Sequence, residues 1–171
     1  MPATEPWYCR VCGGFHEELP MAFGAEAPDA YYEIPPDERG ARAKLGPDRC
    51  ILDGARWFVK LSLEVPVPED GRPFVWGLWA EVEQSAFERA HDPAHTAGHE
   101  SAPPEFGALA TRVPGYEETR GLKVRLYPRP FRQFPLARLE PAAHALVEDQ
   151  LRGIPLARVR EYAALLLHPG A

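Results

Sequence analysis

The chain has 171 residues, 45% of them hydrophobic, 26% charged and 11% aromatic, with a net charge of −6. A chain of this length buries roughly 68–70% of its unfolded surface, enough for one core without covalent staples. The composition excludes a disordered chain, no apolar run approaches the ~18 residues of a membrane helix, and the acidic balance disfavours general nucleic-acid binding.

Twenty prolines and 14 glycines predict many turns and short elements. Residues 1–18 hold the Cys9-Arg10-Val11-Cys12-Gly13-Gly14 knuckle, whose glycines permit a tight backbone turn. Residues 19–34 are turn-rich and aromatic, without a clear period. Pro36, Asp37 and Glu38 suit the first turn of a short helix over 36–45, which Gly46 can end. Cys50-Ile51-Leu52 leads through the tight-turn signal Asp53-Gly54 into a strand, Trp57 to Val65, in which Val59, Leu61 and Leu63 alternate with Lys60, Ser62 and Glu64. After Glu69-Asp70-Gly71 comes a third strand, Phe74 to Val82. Ser85 can cap a helix through Ala90, and residues 91–105 read as a loop. Further strands are expected at 106–113, 122–127 and 136–139. Two helices close the chain, one over 144–152 and one starting at Pro155, with Val159, Tyr162, Ala163, Leu166 and Leu167 on one face. The prediction is one α+β domain over 1–171: a mostly antiparallel meander, a metal-knuckle segment at 1–18, and C-terminal helices over 142–168 packed on the sheet.

Three cysteines and no basic-then-apolar leader argue against a disulfide framework and for a reducing, cytoplasmic setting. There, clustered cysteines serve as metal ligands or redox groups. The two-residue gap between Cys9 and Cys12 lets both thiolates reach one tetrahedral ion. His16 follows four residues after Cys12, and Cys50 precedes a tight turn. The expected cofactor is a structural zinc held by Cys9, Cys12, Cys50 and His16 or another fourth ligand. A redox pair and plain core cysteines are the alternatives, the former weakened because the pair does not open a helix. Four closed protein ligands would mean structure, whereas an open position would permit chemistry. His91, His95 and His99, spaced by four, would share a helical face, but Pro93 and Gly98 argue for a loop.

Charge is unevenly spread. Residues 1–40 carry eight carboxylates against Arg10 and Arg39, while residues 120–138 carry Arg120, Lys123, Arg125, Arg129, Arg132 and Arg138 with no carboxylate. The two regions either face each other or leave an anion-attracting surface. Arginine pairs bidentately with carboxylate or phosphate, so Arg125, Arg129 and Arg132, with Trp76 as a cleft wall and His144 as a base at a helix N-terminus, form a candidate ligand site. Two function classes follow. The first is a zinc-stabilised binding or interaction module without catalytic activity, its partner a protein or a small anionic ligand. The second is an enzyme acting on a small anionic substrate in the arginine-rich pocket. Single-stranded nucleic acid, bound through Tyr127, Phe131 and Phe134, is a minor third. Membrane association is not expected.

An ordered set of short motifs runs along the chain. Cys9-Arg-Val-Cys-Gly with His16 and Leu19-Pro20 is followed by Asp48-Arg-Cys50-Ile-Leu, Leu63-Glu-Val-Pro-Val67 and Phe74-Val-Trp-Gly-Leu-Trp79. Pro103-Pro-Glu-Phe-Gly107, Pro114-Gly-Tyr116, Leu139-Glu-Pro141, His144 and Gln150 to Ile154 complete it. The set resembles a bacterial family catalogued as domain of unknown function 2199. The resemblance implies a small cytosolic bacterial protein without an assigned activity. Where the family pattern has Thr-Asp before the histidine, this chain has Ala142 and Ala143, which removes a carboxylate from beside His144.

Overall fold

The computed structural model describes residues 6–90, 102–130 and 133–170. Its centre is a pair of long strands, β6 (Arg56–Val65) and β7 (Phe74–Val82), joined antiparallel from Trp57 opposite Val82 to Val65 opposite Phe74. Their alternation is what makes them strands. Val59, Leu61, Leu63 and Val65 stand opposite Ala80, Leu78, Trp76 and Phe74, and all eight are buried in one core.

The chain then winds antiparallel through β8 (Glu105–Leu109), β9 (Lys123–Tyr127) and β10 (Leu136–Leu139). The expected meander is therefore present as a chain path, but the sheet is mixed and closed. Five strands of alternating direction leave the first and last running the same way, so a ring of them closes only through a parallel pair. Leu136 of β10 beside Ser62 of β6 supplies it, with the Ser62 N–H donating to the Pro135 carbonyl at 2.9 Å. A second parallel pair places β3 (Ala22–Gly24) against Val75 to Gly77, within the stretch that sequence alone left without a period.

β5 (Arg49–Leu52) and β4 (Ala43–Leu45) extend the sheet beyond the start of β6, and the expected helix over 36–45 shrinks to one turn, α2 (Arg39–Arg42), before β4 begins. Asp53 and Gly54 both take positive φ, 53° and 62°, and form the tight turn into β6. On the outer face of these strands a second core gathers Ile34, Cys50, Leu52, Phe58 and Trp79 beside the short helix α1 (Asp29–Glu33).

The described residues hold three further helices, α3 (Gln84–Ala90), α4 (Ala145–Arg152) and α5 (Leu156–Leu167). Buried Gln150 on α4 does the work of a neighbouring strand for β10. Its Oε1 accepts from the Leu139 N–H at 2.8 Å and its Nε2 donates to the Ala137 carbonyl at 2.9 Å. Gly153 ends α4 at φ 86°, where a Cβ would lie 2.8 Å from the Pro66 carbonyl oxygen, so only glycine lets α5 start against the barrel. α5 then buries Val159, Tyr162 and Ala163. No described helix is long and apolar enough to cross a membrane.

Candidate metal centre

The N-terminal ribbon consists of β1 (Trp7–Tyr8) and β2 (Phe15–His16), paired Trp7 to His16 and Tyr8 to Phe15. Between them the knuckle turns through two backbone hydrogen bonds, Gly13 N–H to the Cys9 carbonyl and Cys9 N–H to the Gly14 carbonyl, both 2.9 Å. Gly13 sits at φ 71°, which explains a glycine directly after the second cysteine. This turn sets both sulfurs on the same side. Burial pushes the Cys9 thiol up, but backbone N–H groups of Cys12 and Val11 and the Cys12 side chain outweigh it and hold the thiol below its ordinary value. Such N–H groups stabilise a thiolate, the form that binds metal.

Cys12 Sγ lies 3.4 Å from His16 Nε2, and the His16 ring stacks on Trp7 with centroids 5.0 Å apart. Trp7 is itself fixed by its indole N–H donating to the Glu18 carbonyl at 3.0 Å. The fourth residue of the cluster comes from the other end of the chain. His168, the residue that caps α5, brings its ring 5.6 Å from that of His16. Ligand atoms of Cys9, Cys12, His16 and His168 all lie within 4.8 Å of one another. A tetrahedral ion with bonds of about 2.0–2.3 Å spaces its ligand atoms roughly 3.3–3.8 Å apart, so the four fit such an ion with small side-chain adjustments. One atom supports the fit independently: His168 Nε2 is buried and has no hydrogen-bond partner among the described residues. A buried polar nitrogen left without a partner is costly, and coordination removes that cost.

Cys50 is not part of this group. It lies on β5 opposite Phe58, fully buried in the second core, and burial alone pushes its thiol up to about 11. A thiol in that setting is a small apolar side chain. Three of the four clustered residues were legible from spacing. His168 was not, because no local pattern links the end of a helix to a knuckle at the opposite terminus.

The described residues of the candidate ligand site each have structural partners of their own. Trp76 is buried in the main core against Phe74 and Tyr162. Its indole Nε1 is likewise without a hydrogen-bond partner among the described residues. Arg125 pairs with Glu140 at 3.2 Å, and Arg129 pairs with Glu64 at 2.5 Å. His144 caps α4: its Nδ1 accepts from the Leu146 N–H at 3.1 Å, and its Nε2 lies 3.2 Å from the Glu118 carbonyl oxygen. Both ring nitrogens are thus occupied by structure. Arg120 does meet the acidic N-terminal region, lying within ion-pair reach of Asp29 and Glu33 as well as Glu118. Arg132, Phe131, His91, His95 and His99 lie outside the described residues.

A family model described as an uncharacterised protein conserved in bacteria, DUF2199, matches residues 8–154. The chain belongs to this family. The matched span contains Cys9, Cys12 and His16 and ends before His168. No curated protein and no solved structure matches the chain.

Proposed function

We propose that this DUF2199 protein is a zinc-stabilised binding module whose metal is structural. The observation that carries the reading is the convergence of Cys9, Cys12, His16 and His168 within 4.8 Å. Two sulfurs and two imidazole nitrogens suit zinc among the common divalent ions, and four protein ligands leave no position open for substrate or water. The engagement of both His144 ring nitrogens in structural hydrogen bonds supports a binding role over acid–base catalysis. The test is elemental analysis of protein purified without chelator or a metal-binding tag. One zinc per chain is expected, falling well below that in Cys9→Ser and Cys12→Ser, whereas a metal-free wild-type chain would overturn the reading.

One observation favours a small anion as the bound partner. Arg129 and Arg89 line a cavity of about 160 Å³ between α3 and the barrel, walled by Val59, Val82, Ala86 and Leu126. That is room for a single-ring body. Both guanidinium groups are held by carboxylates, Glu64 and Glu105, so an incoming anion must compete for them. Benzoate is a suitable probe. A concentration-dependent rise in melting temperature that Arg129→Ala removes would support this reading, and no shift at tens of millimolar would exclude it.

A further inference from the structure

We infer that the metal centre is a latch, holding the C-terminal half of α5 against the N-terminal ribbon, so that this half-helix is stably docked only while zinc is bound. The inference rests on the metal reading above and adds to it a specific division of labour along α5.

The first half of that helix is anchored without any metal. Val159 and Tyr162 belong to the main core, the Leu156 N–H donates to Glu69 Oε1 at 3.0 Å, and Tyr162 donates to the Tyr116 hydroxyl at 2.8 Å. The second half has less. Leu166 packs, partly buried, against the main core and Ala163 and Ala164 pack on Trp7 and Cys9, but Leu165 and Leu167 are exposed and the helix has no basic residue in its last turn. What it docks on is equally marginal. The ribbon has two residues per strand and forms a sheet separate from the eight-stranded one, resting on Leu19 and Phe23 through its buried Trp7. A hairpin of that size does not hold its shape alone in water. Each element therefore lacks what the other would supply, and His168 is the single ligand that joins them. With Cys9, Cys12 and His16 all on one ribbon, loss of His168 leaves three ligands in place and a coordination position open.

Hydrogen exchange of the full-length chain, read by mass spectrometry, tests the latch. Three samples are compared with zinc and after its removal by a strong chelator: wild type, Cys12→Ser and His168→Ala. In wild type, chelation is expected to raise exchange at least tenfold in residues 163–168 and to leave β6 and β7 unchanged. His168→Ala is expected to retain zinc at an affinity at least tenfold lower, with residues 163–168 exchanging fast whether or not zinc is present. Cys12→Ser should resemble chelated wild type. If wild type binds zinc yet residues 163–168 exchange identically with and without it, the latch is overturned while the metal reading stands. If His168→Ala binds zinc as tightly as wild type, His168 is not a ligand and the latch fails in the same way. A wild-type chain that binds no zinc removes both.

Discussion

His144 Nδ1 accepts a hydrogen bond from the Leu146 N–H two residues ahead, at 3.1 Å, so the histidine serves as the N-cap of α4 in the place usually taken by serine or aspartate. Its other ring nitrogen faces the Glu118 carbonyl, which fixes the ring across the turn that carries Tyr116. This geometry assigns His144 to holding α4 beneath β10, from where Gln150 completes the hydrogen bonding of that strand. His144→Ala is expected to lower unfolding free energy by about 1 kcal/mol, and His144→Asp to recover most of the loss. Urea denaturation checks this; an aspartate variant no more stable than the alanine variant would remove the capping role.

Tyr116 sits at the centre of a half-buried chain, donating to Asp149 Oδ2 at 2.6 Å and accepting from the Tyr162 hydroxyl at 2.8 Å. Burial first, and then the bond to Asp149, hold its phenol far above the ordinary tyrosine range. Tyr116→Phe strips Asp149 of a donor and Tyr162 of an acceptor, at an expected cost of about 1–3 kcal/mol. Tyr162→Phe removes one of these bonds and leaves the other, so it should cost less. The two effects should fall short of adding in the double variant, because the residues share a bond. Simple additivity in urea melts would show that the chain is not coupled.

Cys50 gives a pH signature. Its thiol is raised by burial from 9.0 to about 11. The unfolded chain then releases this proton at lower pH than the folded chain does. The stabilisation is complete below pH 9 and is lost as pH rises toward 11. Cys50→Ala is expected to cost about 1 kcal/mol at pH 8 and progressively less as pH approaches 11. Zinc content should stay at the wild-type value throughout the comparison at pH 8. A constant difference between the two proteins at pH 8 and pH 10.5 would show that Cys50 does not titrate in this range, and lost zinc would restore it as a ligand.

Much of this architecture was legible because its causes are local. Period-two alternation marks β6, Asp53-Gly54 marks the turn before it, and α4 and α5 begin within a residue or two of the expected starts. The stretch over 19–34 was not legible, since β3 is three residues long and exists as a strand through its parallel pairing with β7. The helix expected over 36–45 failed for a related reason. Its second half pairs with β5, and the hydrogen bonds of that sheet edge override a weak helical preference.

The sequence by itself determined the knuckle: Cys9, Cys12 and His16 lie within one hairpin, so spacing and the two glycines are enough to bring them together. Only the tertiary structure decided that His168, and not Cys50, joins this cluster. Cys50 follows β5 into the second core, where its pairing with β6 turns the thiol toward Phe58 and Trp79. The direction of α5 is set by the burial of Val159, Tyr162 and Ala163, and that direction carries His168 to the ribbon. Ring closure through Leu136 and Ser62 was decided in the same way. Contacts between distant segments depend on how whole elements pack, and no short stretch of sequence encodes that.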